Sequence, residues 1–317
     1  MLLCNYLVKM LSIRNHRNAI LLNDNDTILE YQRRPTVSRP AIIRALELLG
    51  TLGEERPNLM QYAITPYAPW ILCDNIDTVL DISAFSKNET SNIVYRMHFR
   101  ETIGKYPDAT IIYTDGSKTE RGTASAMFVN QKSYAWRHSD ITSVYVLELY
   151  AIWHSLIFCE YENTKQVVIC SDSLSAMHAL VNKANSVDPL ICIIKDRIQY
   201  LLNINIRVTL IWIPGHAGIA GNVAVDTAAK ESTNSTVYDG ISIHPSDFKK
   251  HLKKRMYEKW NSAWQDANTY LYKFQNSTQA IKINYHLSKR EEIVFTRLRI
   301  GHTRMTHQHL LGKTTRE

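Results

Sequence analysis

The sequence predicts an α/β fold in which a mixed five-stranded sheet is flanked by helices and extended by helical segments at both ends. Three observations carry that expectation. Short β-rich apolar runs alternate with longer helical runs between residues 109 and 233, in the order β-β-β-α-β-α-α-β-α. The second and third runs, TASAMFV and KSYAWRH, sit at hairpin spacing around Asn130-Gln131. QVVICS is a continuous apolar run, the pattern of a strand covered on both faces.

Residues 1–65 read as helical. Ser38-Arg39-Pro40 ahead of AIIRALELLG gives a helix start with Pro in the first turn and a stop at Gly50. Residues 66–108, punctuated by Pro66, Pro69 and Pro107, read as an irregular connector. Within 109–233, ATIIYT opens the sheet. Thr142-Ser143 can cap a helix running from Val144 to about Tyr161. SLSAMHALV is a short helix, DPLICIIKDRIQYLL a longer one, and RVTLIWI the last strand. Pro214–Gly218 is a loop, and NVAVDTAAKES is a helix of small residues. Residues 234–317 read as a basic helical extension. There Phe248, Leu252, Met256, Trp260 and Trp264 recur every four residues and draw an apolar packing stripe. Lys249, Lys250, Lys253, Lys254 and Arg255 mostly occupy the other faces and can hold phosphates.

A chain of 317 residues can bury one full core and a second small domain. Its composition, 45% hydrophobic and 21% charged, is that of a soluble globular protein. No apolar run approaches the roughly 20 residues of a membrane helix, so no membrane partner is expected. The opening MLLCNYLVKMLSI is interrupted by Lys9 and reads as a buried helix. Five scattered cysteines with no CxxC indicate neither a disulfide framework nor a zinc site. Cys159, Cys170 and Cys192 read as buried thiols, and a reducing intracellular compartment is expected, nuclear or cytoplasmic. The charge is uneven. Residues 241–317 hold 15 Lys and Arg against 6 Asp and Glu, while the other 240 residues hold 22 against 24. A basic tail on a near-neutral body points to a polyanionic partner.

Four carboxylates suggest the chemistry. Asp115 follows ATIIYT, Asp172 follows QVVICS, Glu148 lies in the 144–161 helix, and Asp226 lies among the small residues of the last helix. If the two strands are parallel neighbours, Asp115 and Asp172 emerge together at one edge of the sheet. Glu148 shares a helical face with Val144, Tyr145, Ala151, Ile152 and Leu156, a face that should pack on the sheet. A buried carboxylate with no cation within one turn is costly unless it is paired or binds metal. Phosphodiester hydrolysis uses two Mg²⁺ ions about 3.5–4 Å apart, and Mg²⁺ prefers oxygen ligands. His216, in a glycine-flanked loop, is placed to shuttle a proton or assist product release.

At these residues the chain resembles the type 1 ribonuclease H family. The matching pieces are YTDGS (113–117), LELYAI (147–152), SDSLSA (171–176) and WIPGHAGIAGN…D…AK (212–230). They span residues 109–233. The resemblance implies a ribonuclease-H-like fold and endonucleolytic cleavage of the RNA strand of RNA–DNA hybrids with two Mg²⁺, with Mn²⁺ as a substitute. It assigns metal binding to Asp115, Glu148, Asp172 and Asp226, and a catalytic role to His216. It implies hybrid contacts at the Gly116 backbone, the adjacent Ser117, and Asn222.

The flanks, PWI…D…FSK…Y upstream and REEIVFTRLRIGHTRMTH downstream, resemble jockey-type non-LTR retrotransposon polyproteins of insects. In those a reverse transcriptase precedes the ribonuclease H, so residues 1–65 would be the end of a polymerase. The chain contains no Asp-Asp doublet, so no polymerase activity is expected of it. His302, His307 and His309 have no following cysteines with which to complete a zinc site. The family commonly has Glu after the Asn of the last motif, where this chain has Val223. The alternative reading is a catalytically silent nucleic-acid-binding remnant of such an element.

Overall fold

The computed structural model describes residues 2–20, 25–33, 38–61, 76–85, 90–162, 164–182, 188–267, 272, 275–278 and 287–299. These fall into two compact units. The larger holds Leu2–Leu46 and Arg56–Lys249, and the smaller holds Glu47–Glu55 and the described residues from Lys250 onward.

The larger unit opens with helices α1 (Leu2–Ser12), α2 (Arg17–Ile20) and α3 (Asn25–Arg33). Helix α4 (Ala41–Thr51) begins at Pro40, whose carbonyl accepts from the Ile43 and Arg44 amides. Its end differs from expectation. Gly50 stays helical, and the glycine that takes the left-handed conformation is Gly53, at φ 72°. The Glu54 amide then closes back on the Leu49 carbonyl.

A single six-stranded sheet lies among the described residues, in the order β1-β6-β5-β2-β3-β4. All five expected strands are present: β2 (Thr110–Lys118), β3 (Thr123–Val129), β4 (Lys132–His138), β5 (Gln166–Ser171) and β6 (Arg207–Trp212). Strands β2, β3 and β4 are antiparallel; β5 runs parallel to β2, and β6 parallel to β5. The β3–β4 turn sits at Asn130-Gln131, both at positive φ, which matches the right-handed twist of a tight hairpin.

The sixth strand comes from the segment expected to be irregular. β1 (Asp77–Val79) pairs in parallel with β6, and Thr209 Oγ1 donates to Asp77 Oδ2 at 2.7 Å. A short 3₁₀ turn (Asp81–Ala84) and helix α5 (Asn92–Gly104) follow. A three-residue edge strand is too short to show a period, and the apolar pattern of α5 is weak because it buries few side chains, chiefly Tyr95 and Phe99. Pro66 and Pro69 lie outside the described residues.

Helices cover both faces of the sheet. On one, α6 (Val144–Tyr161) packs against β2, β3 and α8 (Pro189–Asn203), with α7 (Leu174–Val181) beside it. Ile112, Met127, Ile152, Leu156, Ile169 and Ile194 belong to that core. On the other, α5 buries Tyr95 and Phe99 against Val168, Cys170 and Ile211, and α9 (Ala220–Ser232) sets Val225 and Ala229 against Ala126. The alternation of Ile112 and Tyr113 between the two cores follows from the two-residue period of β2. Cys159 and Cys170 are buried as expected, while Cys192 is half-buried on α8.

Residues 234–249 remain part of the larger unit. Tyr150 of α6 donates to the Ser242 carbonyl, and Ile243 exchanges backbone hydrogen bonds with Asn58 and Met60. Helix α10 (Pro245–Asp266) begins here. The final helix, α11 (Lys289–Arg299), lies in the smaller unit. The four-residue stripe of α10 buries only at its start. Phe248 and Leu252 are buried, whereas Trp260 is 57% exposed. At about 100° per residue, four residues overshoot a turn by about 40°, so Trp260 stands about 120° round from Phe248.

Candidate active site

Three of the four carboxylates meet. One ligand oxygen each from Asp115, Glu148 and Asp172 lies within 4.8 Å of the others. Their elements explain the convergence. Thr114 of β2 pairs with Ser171 of β5, so the next residues, Asp115 and Asp172, stand side by side. Asp115 is not at the end of its strand, as the Asp-Gly-Ser suggested. β2 continues to Lys118 because β3 keeps pairing with it, whereas its parallel neighbour β5 stops at Ser171.

Gly116 admits Glu148. A Cβ at Gly116 would lie 2.7 Å from the Glu148 amide nitrogen and 2.7 Å from Leu147 Cβ. The missing side chain lets α6 close on β2, bringing the fifth residue of the helix to the carboxylate pair. The cap of α6 differs from expectation. Ser143 precedes the helix but does not cap it with its own side chain. Its amide and hydroxyl instead donate to Asp247 Oδ2, at 2.8 and 3.0 Å. Val144, expected on the packed face, is exposed.

The site is electrostatically loaded. Burial, then the charges of Asp172 and Asp226, push the Asp115 carboxyl up to about 7. Burial and the neighbouring Asp115 and Asp172 hold Glu148 well above the usual carboxylate range. Its Oε2 is buried and has no hydrogen-bond partner. Asp172 is also raised by burial, opposed by a hydrogen bond from Asn222 and the nearby His216. Three crowded acids with an orphaned buried oxygen are an all-oxygen donor set that a divalent cation would satisfy, and the residues fit Mg²⁺.

The other expected site residues lie around this cluster. Asp226 on α9 stands outside the close triad and pairs with Lys230 at 2.7 Å, although its charge still reaches Asp115 and Asp172. His216 is exposed, at φ 60°, in the loop between β6 and α9. Gly215 beside it passes so close to Asp172 that a Cβ would sit 2.8 Å from Oδ2. Asn222 is buried with its Oδ1 unpartnered. Ser117 is buried in β2. Lys253 and Lys254 are exposed on α10, Lys250 with them, and Lys249 is half-buried. Val223, where the expected Glu is absent, is exposed on α9, and the helix forms around it. His302, His307 and His309 lie outside the described residues.

Several supporting residues were not anticipated. Trp212 Nε1 donates to the Asp172 carbonyl at 3.0 Å and fixes the turn after β5. Lys118 Nζ donates to the Asp140 and Thr142 carbonyls, tying the end of β2 to the approach to α6. Arg96 of α5 donates to the Ala217 carbonyl in the His216 loop. The Asp226–Lys230 pair was also missed, although its i,i+4 spacing is a sequence signal that could have found it.

Comparison with known proteins places this geometry. The RNase H family model matches residues 107–234, and the chain contains an RNase H-like domain there. No curated protein matches the chain. Among solved structures, RNase H1 from the halophilic archaeon Halobacterium salinarum NRC-1 aligns over 39% of this chain and 96% of its own, at 16% identity and a TM-score of 0.32.

Proposed function

We propose that the chain is an endoribonuclease that cleaves the RNA strand of RNA–DNA hybrids, using Mg²⁺ held by Asp115, Glu148 and Asp172, with Asp226 completing the set. The observation that carries this reading is the carboxylate triad with its orphaned Glu148 oxygen, inside a domain matched by the RNase H family. When bound, divalent ions would activate a water and stabilise the leaving oxygen of the phosphodiester.

The chain's own residues have separate tasks in this reading. Asp115 and Asp172 present oxygens from adjacent strands, and Glu148 presents one from α6. Asp226, paired with Lys230, supplies a more solvated carboxylate at the rim. His216 stands exposed in its loop, where it can take or give a proton as product leaves. The Gly116 backbone, Ser117 and Asn222 would meet the strand. The 2′-hydroxyl both donates and accepts, so polar and backbone groups there can tell RNA from DNA. Residues 109–233 carry 10 basic and 11 acidic residues, so the domain itself attracts a polyanion weakly. Lys249, Lys250, Lys253 and Lys254 would supply that attraction. The flanking motifs support an origin in a retrotransposon polyprotein, with residues 1–65 as the end of a polymerase.

The test is cleavage of an end-labelled RNA–DNA hybrid by the purified chain with Mg²⁺, beside Asp115→Asn. Metal-dependent RNA cuts that disappear in the variant support the enzyme. Tight hybrid binding by a folded chain without cuts would replace this reading with the silent binding remnant.

A further inference from the structure

Helix α10 carries a surface that the proposed catalytic chemistry does not use. Between Lys249 and Trp260 it has six Lys or Arg and a single acid, Glu258. Arg255 and Lys259 make bonds within the smaller unit. Arg255 bonds Glu54 at 2.9 Å and Glu258 at 3.0 Å, and Lys259 donates to the Thr51 carbonyl. These bonds tie this stretch of α10 to the Glu47–Glu55 segment within the smaller unit and engage Glu258.

Lys253, Tyr257 and Trp260 project on a different face. At about 100° per residue they fall within about 60° of one another around the helix. Lys253 is exposed, with its Nζ 5.9 Å from the centre of the Tyr257 ring. The Tyr257 and Trp260 rings run nearly parallel, 14° apart, with centroids at 6.3 Å. Trp260 is 57% exposed, the largest side chain left open on the described part of α10. Exposing an indole gives up hydrophobic stabilisation that burial would provide, so the position asks for a partner. Lys254, 77% exposed, pairs with Glu258 at 3.9 Å.

We propose that Lys253, Tyr257 and Trp260 form a stacking platform for single-stranded nucleic acid. The parallel rings offer π faces to successive bases, and the lysines neutralise the phosphates between them. Charge complementarity selects a polyanion, and the exposed Trp260 ring beside half-buried Tyr257 selects one whose bases are unstacked. In a duplex the base faces are already covered, so only the lysines would engage it. The platform lies in the smaller unit and does not depend on cleavage, so its success or failure is separable from that of the proposed nuclease.

The experiment measures binding of the full chain to fluorescein-labelled oligo(dT) and oligo(U) by anisotropy in EDTA, with a blunt DNA duplex as comparison. Trp260→Ala should weaken single-strand binding about fivefold or more, the loss of one base stack. Trp260→Phe should retain most of it. Lys253→Glu should also lower the slope of log affinity against log salt by about one. Oligo(dT) and oligo(U) should bind within a few-fold of each other, because ring stacking ignores the 2′-hydroxyl. Unchanged single-strand affinity in a folded Trp260→Ala chain overturns the proposal. So does an equal loss for single strand and duplex. A change in sedimentation with no change in nucleic-acid binding would mark the face as a protein contact and overturn it as well.

Discussion

Arg96 Nη1 donates to the Ala217 carbonyl at 3.1 Å, joining residues 121 positions apart. The bond ties α5, which precedes the family match, to the loop carrying His216. Gly218 is part of the fit, since a Cβ there would lie 2.9 Å from the same nitrogen. Arg96 is therefore a positioning residue for a loop whose histidine is held at positive φ. Arg96→Ala should lower kcat on a hybrid by about tenfold with a smaller change in KM, and Arg96→Lys should recover part of it. In a His216→Ala background the Arg96 change should cost little more. Full additivity in that double variant would show that Arg96 acts elsewhere.

The triad should trade stability for activity. Without metal, ionised Asp115 and Glu148 are unfavourable in their buried surroundings, so Asp115→Asn should abolish cleavage yet raise the melting temperature in EDTA. The pH dependence has a definite sign. Asp115 is raised in the folded state, so the folded chain binds the extra proton, and stability falls as pH rises from about 4 to about 7. The loss is on the order of a few kcal/mol. Thermal melts in EDTA at pH 5 and pH 8 should differ less for Asp115→Asn than for the parent. Added Mg²⁺ should stabilise the parent at pH 8 and leave the variant nearly unmoved.

Gly116 should tolerate no side chain. Gly116→Ala places a methyl against the backbone of α6, which cannot swing aside as a flexible side chain would. The expected cost is about 1–3 kcal/mol in urea unfolding, together with a large loss of cleavage as Glu148 is displaced. Full activity in this variant would show that the close approach of α6 to β2 is dispensable.

Asp188 caps α8, accepting from the Leu190 and Ile191 amides at 2.9 and 3.3 Å, and meets His244 Nε2 at 3.1 Å. Burial alone would raise its carboxyl, but the His244 hydrogen bond and charge and the two amides outweigh it, so the net shift is downward. Asp188→Ala should cost about 1–2 kcal/mol at neutral pH. That contribution is present above the ordinary aspartate range and is lost as pH falls through the depressed value. Urea midpoints at pH 7 and pH 3 should therefore differ more for the parent than for the variant.

Much of the core was legible because it is locally encoded. The hairpin showed in Asn130-Gln131, the buried strand in QVVICS, and α6 in its long apolar run. The convergence of Asp115 and Asp172 followed from parallel strands that both lose their apolar character at one level. Illegible features depend on partners distant in sequence. β1 is three residues long and is a strand because β6 has an open edge beside it. Arg96 and Asp247 carry no local sign of the carbonyl and amides they serve. The α10 stripe was misjudged in extent because a strict spacing of four drifts around a helix.

The pairing of β1 with β6 bears on where the chain can be cut. A fragment starting at residue 107 would bare the β6 edge along Thr209, Leu210 and Ile211, which β1 otherwise pairs. Ending it at 234 would also strip Tyr150, Asp188 and Ser143 of the bonds made by Ser242, His244 and Asp247. Such an edge recruits neighbouring molecules, so the shorter piece should aggregate more readily than the full chain. The stretch that the RNase H family model matches is shorter than the stretch that supplies the sheet's edge strand and the outer bonds of α6 and α8.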